Sequence, residues 1–170
     1  DHSHPAWQRL KAEELLAQQL SQLMSRRERD RLRAPVLQPT GTPALALHEQ
    51  LLAVLPFQLT AAQRRVGTEI ATDLARPVPM HRLLQGDVGS GKTVVAALAA
   101  TLCIDAGWQC ALMAPTEILA EQHFRKLIGW LEPLLEPRGL KVAWLFGGQK
   151  KKERDAMLAL VESGQAALVV

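Results

Sequence analysis

One stretch limits what this chain can fold into more than any other: Gly86-Asp87-Val88-Gly89-Ser90-Gly91-Lys92-Thr93. It fits G-x-x-x-x-G-K-[ST], a pattern whose chemistry requires a strand, a loop and then a helix. Glycines let the loop wrap a phosphate without Cβ clashes. Successive backbone N–H groups and the helix N-terminus then face the anion. Lys92 supplies a point charge to the β and γ phosphates, and Thr93 offers its hydroxyl to Mg²⁺. The flanks match: Arg82–Gln85 reads as a short strand before the loop, and a helix opens at Lys92. A chance Gly-rich turn is the competing reading. The expected ligand is a nucleoside triphosphate with Mg²⁺.

From Met80 onward, short apolar runs alternate with helical intervals. The runs are Arg82–Gln85, Gln109–Ala114, Lys141–Phe146 and Ala166–Val170, with helices from Lys92, Glu117 and Lys150. Such alternation implies βαβ units, hence an α/β parallel sheet with helices on both faces. Earlier, Trp7, Leu10, Leu15, Leu16, Leu20, Leu23 and Met24 recur at helical spacing. That helix, residues 1–34, closes with Ser25 to Arg33, which carries five positive and two negative charges. Basic side chains suit a helix C-terminus, so this end reads first as a solvated terminus and second as a DNA contact. A Pro/Gly-rich linker, 35–43, follows. Thr42 with Pro43 looks like an N-cap opening a helix that Pro56 stops. Thr60 caps another, with Val66, Ile70 and Leu74 on one face.

At 170 residues and 48% hydrophobic, the chain fits one domain with a real core. No apolar run reaches 18 residues, so no membrane-spanning helix is expected. The N-terminus lacks a secretory pattern and an initiator Met, and Ala166–Val170 breaks off in mid-strand, so we expect a piece of a longer chain. A net charge of +3 permits a nucleic-acid partner without demanding one. Cys103 and Cys110 form neither a disulfide framework nor a zinc pattern; they read as packing residues in a reducing compartment.

Two further segments bear on chemistry. In Phe57-Gln58-Leu59-Thr60-Ala61-Ala62-Gln63, the Gln63 carboxamide has the donor and acceptor to pair with adenine, with Phe57 beside the base. A capped helix with a surface Gln is the alternative. Downstream, Ala114-Pro115-Thr116 ends a strand and caps a helix that runs through His123. A turn at the carboxyl end of a parallel strand, with free helix N–H groups, suits a DNA backbone phosphate. An ordinary capped helix is the alternative here too, and His123 by itself reads as a packing or surface histidine.

Together these residues resemble superfamily 2 helicases: Thr60–Gln63 the Q motif, Gly86–Thr93 motif I, Ala114–His123 motif Ia. Leu55–Gln63, Arg82–Thr93, Met113–His123 and the early Pro5–Leu10 and Glu13–Leu16 are similar to the RecG family of bacterial ATP-dependent DNA helicases. The resemblance implies a RecA-like fold, with 44–170 the N-terminal part of the first motor domain and 1–34 a connecting helix from a wedge domain. It implies binding of ATP and Mg²⁺ by Phe57, Gln63 and Gly86 through Thr93, with Lys92 and Thr93 catalytic. It also implies backbone contacts to branched DNA (forks, Holliday junctions) by Pro115, Thr116, Gly147 and Gly148, in a monomeric cytoplasmic motor for DNA repair and recombination. The motor of a transcription-repair coupling factor is similar. Its loop carries Phe where Ser90 stands and its motif Ia reads Pro-Thr-Thr, so both differences favour the first family. A non-helicase nucleotide switch is the remaining alternative. The family's Asp-Glu-x-His motif is absent and the chain holds no Asp-Glu pair, so efficient hydrolysis by this chain is not expected.

The remaining features are weaker. Lys150-Lys151-Lys152 and Arg154 read equally as a solvated face or a phosphate contact. Trp130 and Trp144 read as core, and His2 and His4 as a frayed terminus.

Overall fold

The computed structural model describes residues 4–38 and 46–170. The Thr42–Pro43 cap, His2 and the later part of the linker lie outside these residues. The elements are α1 (Pro5–Asp30), α2 (Leu47–Val54), α3 (Ala61–Leu74), α4 (Lys92–Asp105), β1 (Cys110–Ala111), α5 (Glu117–Leu135), β2 (Lys141–Ala143), α6 (Lys151–Glu162) and β3 (Ala166–Val169).

The strands form one parallel sheet in the order β1-β3-β2. Cys110 pairs with Leu168 and Val142 with the same Leu168 from the other side. Ala166, Ala167 and Leu168 are all buried although successive side chains point to opposite faces. Both faces of the central strand are therefore covered, as a parallel sheet requires. The ladders run slightly past the strand ends: Leu112 N–H donates to the Val169 carbonyl (2.8 Å) and Leu145 N–H to that of Val170 (2.9 Å).

Helix α4 carries the core. Val94, Val95, Ala97, Leu98, Ala100, Leu102 and Ile104 are buried, spread round the helix, because α2, α3, β1 and β3 surround it. Helix α2 seats Leu47 and Leu51 against it. Its own N-cap, Ala46, offers no side-chain acceptor. Asp105 substitutes from the end of α4: its carboxylate accepts from Leu47 N–H (2.8 Å) and His48 N–H (3.1 Å). Arg138 completes the pair at 3.3 Å. Helix α5 buries Leu127, Leu131 and Leu135, one per turn.

One expectation is corrected. Arg82–Gln85 is not a strand: among the described residues it joins no ladder, and Leu83 faces solvent. Side chains hold this segment instead. The Arg82 guanidinium donates to Asp73 (2.7 and 2.9 Å) and Glu69 (2.6 Å) on α3. The Asp73 hydrogen bond, aided by Glu69, holds that guanidinium above its ordinary pKa. The apolar stripe of α1 is genuine, but it buries nothing: Trp7, Leu10, Leu15, Leu16, Leu20, Leu23 and Met24 are all exposed. The residues just after α1 are held to the body of the fold. Ala34 N–H bonds the Pro77 carbonyl and Leu37 N–H that of Leu74, strapping them to the end of α3. No described helix is long and apolar enough to cross a membrane.

Candidate nucleotide and nucleic-acid site

The Gly86–Thr93 loop leads into α4 through Gly91, its N-cap, which sits in the left-handed region at φ 84°. Gly89 has φ 83°. Side-chain ends also crowd two of the glycines. A Cβ on Gly91 would lie 2.3 Å from Gln63 Nε2, and one on Gly86 would lie 2.7 Å from Ser90 Oγ. Ser90 N–H closes the turn onto the Asp87 carbonyl at 3.1 Å. Lys92 reaches back over this cradle, its Nζ donating to the carbonyls of Gly86 (2.7 Å) and Asp87 (2.9 Å). Val88 stands fully exposed at the tip.

Thr60 and Gln63 form a reciprocal capping box at the start of α3. Gln63 N–H donates to Thr60 Oγ1 (3.2 Å), and Gln63 Oε1 accepts from Thr60 N–H (2.8 Å). Gln63 Nε2 then donates to the Ser90 carbonyl at 2.9 Å. The carboxamide expected to read adenine is thus engaged at both ends within the protein, and it ties α3 to the phosphate loop. Phe57 is half-exposed, edge-on to Trp130 with ring centres 6.3 Å apart. It lines a cleft of about 560 Å³ with Pro56, Leu59 and Arg64.

The expected DNA-contacting residues come from two turns that follow strands. Thr116 caps α5, its Oγ1 accepting from Leu119 N–H at 3.4 Å. Pro115 beside it is exposed. Gly147 and Gly148 form the exposed turn after β2, and a Cβ on Gly148 would lie 3.9 Å from the Glu117 carboxylate. The structure therefore sets the two turns side by side at the carboxyl edge of the sheet, where parallel α/β folds receive ligands. Lys151 and Lys152 open α6 just beyond and are exposed, as is Lys150. Trp144 is half-buried between Phe124 (4.4 Å) and Phe146 (5.6 Å), which supports its packing role.

Sequence reasoning missed one bridge between the two halves of the site: Thr93 Oγ1 lies 3.3 Å from His123 Nδ1, joining the end of the loop to α5. Thirty residues separate the pair, and no local pattern signals such a contact. His4 was also missed; its Nδ1 accepts from Ala6 N–H and caps α1. The two cysteines are half-buried neighbours. The hydrogen bond from Cys110 lowers the pKa of Cys103. The same bond, with burial, holds the Cys110 thiol well above the usual thiol range.

Residues 60–170 match the family described as DEAD/DEAH box helicase. The chain is 52% identical over 167 residues to the ATP-dependent DNA helicase RecG of Escherichia coli (strain K12), covering 98% of this chain and 23% of that protein. It is 50% identical over 169 residues to RecG of Pasteurella multocida (strain Pm70), covering 99% and 23%. A solved structure, RecG bound to a three-way DNA junction, superposes with a TM-score of 0.77 at 39% identity, over 96% of this chain and 21% of that one. The chain spans less than a quarter of the length of these relatives.

Proposed function

Since this chain belongs to the DEAD/DEAH box helicase family, we propose that it forms the nucleotide-gripping part of a motor that couples ATP hydrolysis to movement on duplex DNA and so remodels stalled forks and branched DNA. The observation that carries this reading is the Thr93–His123 contact, which joins the phosphate loop to the helix whose Thr116-capped N-terminus lies beside the Gly147–Gly148 turn. In this reading residues 1–34 connect to a preceding wedge, 44–170 begin the first RecA-like domain, and the motor works in the bacterial cytoplasm.

The residues fit the ligand chemically. A methyl group on Gly86 or Gly91 would press on the Ser90 hydroxyl or the Gln63 carboxamide that shape the loop. Lys92 already spans its mouth and exchanges two carbonyl partners for phosphate oxygens. Thr93 would hold Mg²⁺, which neutralises charge developing on the transferred phosphoryl. Phe57 packs beside the base. Gln63 reads the base only by giving up part of its protein hydrogen bonding, so adenine selection carries a cost of about 0.5–1.5 kcal/mol per neutral hydrogen bond broken. Thr116, with Pro115, Gly147 and Gly148, seats the DNA backbone without reading bases.

Equilibrium binding of a fluorescent ATP analogue tests the assignment. Lys92→Ala is expected to weaken binding at least tenfold with the fold intact by circular dichroism. Equal binding by the variant refutes the site. Gln63→Ala should narrow the preference for ATP over GTP, and unchanged discrimination removes Gln63 from base reading. Lacking an Asp-Glu pair, the chain itself should turn over ATP at most slowly.

A further inference from the structure

Outside the site just described, three separate elements bring basic side chains into one concave place. Arg26 and Arg29 project from the last turns of α1, one turn apart and hence on one face. Arg76 comes from the turn after α3. His81 and Arg82 come from the segment leading to the phosphate loop. These residues line a cleft of about 330 Å³ together with Asp30 and Asp73. Arg82 already saturates Asp73 and Glu69. Arg26, Arg29 and Arg76 thus share the cleft with one carboxylate that Arg82 does not pair with, Asp30, and among the described residues none of the three forms an ion pair. Like charges converging on one concavity repel unless an anion lies between them. Arginine's planar fork matches phosphate oxygens two at a time.

We propose that this cleft grips the phosphodiester backbone of duplex DNA through Arg26, Arg29 and Arg76. The proposal rests on the DNA-motor reading and adds a second contact surface to it. Contacts there are to backbone alone, because guanidinium forks meeting phosphates carry no sequence information. The ligand sits at the foot of the segment that runs directly into the loop at Gly86, held by the Arg82 clamp.

The test is binding of a fluorescent duplex to the full chain across a salt series. Each phosphate contact contributes roughly 0.9 to the slope of log K against log salt. The triple variant Arg26→Gln, Arg29→Gln, Arg76→Gln should therefore lose about 2–3 from that slope, equally for unrelated duplex sequences. Its affinity for a fluorescent nucleotide at the Lys92 loop should not change. Arg9→Gln with Lys11→Gln removes charge from the same helix outside the cleft and serves as the comparison. If the triple variant keeps the wild-type slope, or falls only as the comparison variant does per charge, the cleft is not a DNA site. If the wild-type chain binds no duplex at all, the DNA-motor reading fails and this proposal with it. Free phosphate groups are the other source of the same chemistry. If ATP displaces duplex from a Lys92→Ala chain, the cleft is a nucleotide-phosphate site and the DNA assignment is overturned.

Discussion

Gly91 is squeezed from two directions. Its φ of 84° disfavours any L side chain, and Gln63 Nε2 occupies the place of a Cβ. Gly91→Ala should cost about 1–2 kcal/mol from the backbone alone, and should weaken nucleotide binding by displacing Gln63 from Ser90. Pairing it with Gln63→Ala removes the clash and leaves the backbone cost, so thermal melts of the single and double variants separate the two effects. The cysteines make a pH prediction. Cys103 has its pKa lowered and Cys110 has it raised, so Cys103 forms thiolate first as pH climbs. Iodoacetamide labelling followed by mass spectrometry between pH 7 and pH 9 should modify Cys103 well before Cys110. Cys110→Ala removes the donor and should slow that reaction at a given pH. The Thr60 cap and the start of α4 at Lys92 were legible in the sequence because both are written in local spacing. His123 on Thr93, and Asp105 on Leu47, were not, because each contact spans 30 or more residues.

At the level of elements, α2 depends on a cap borrowed from α4. Asp105→Ala would leave the N–H groups of Leu47 and His48 without acceptors in a part-buried place and Arg138 without its carboxylate. Loss of about 1–3 kcal/mol is expected, read as a lower melting temperature with the nucleotide site intact. Leu131, fully buried in α5, should cost about 2–5 kcal/mol when cut to Ala. The helices were readable because apolar spacing and caps such as Thr60 and Thr116 are local. The strand at Arg82–Gln85 was misread because a short apolar run records burial tendency and says nothing about a partner. Here an ion-pair clamp does the holding, and β1, β2 and β3 shrink to the residues that reach a neighbour.

Across the whole molecule, β3 is the middle strand, although it follows β1 and β2 in the chain. Among the described residues β1 and β2 share no ladder, and each pairs only with β3. Amide exchange should therefore show β1 and β2 losing protection together with β3, in one step rather than strand by strand. This arrangement also sets an order in time. As the chain is synthesised, α2 to α5 can gather round α4 while two strand edges stay unsatisfied, and the sheet closes only when Ala166–Val169 arrives between them. Closure across such long separations is slow, and waiting edges are sticky. The interval before those four residues emerge leaves both strand edges open to misassembly.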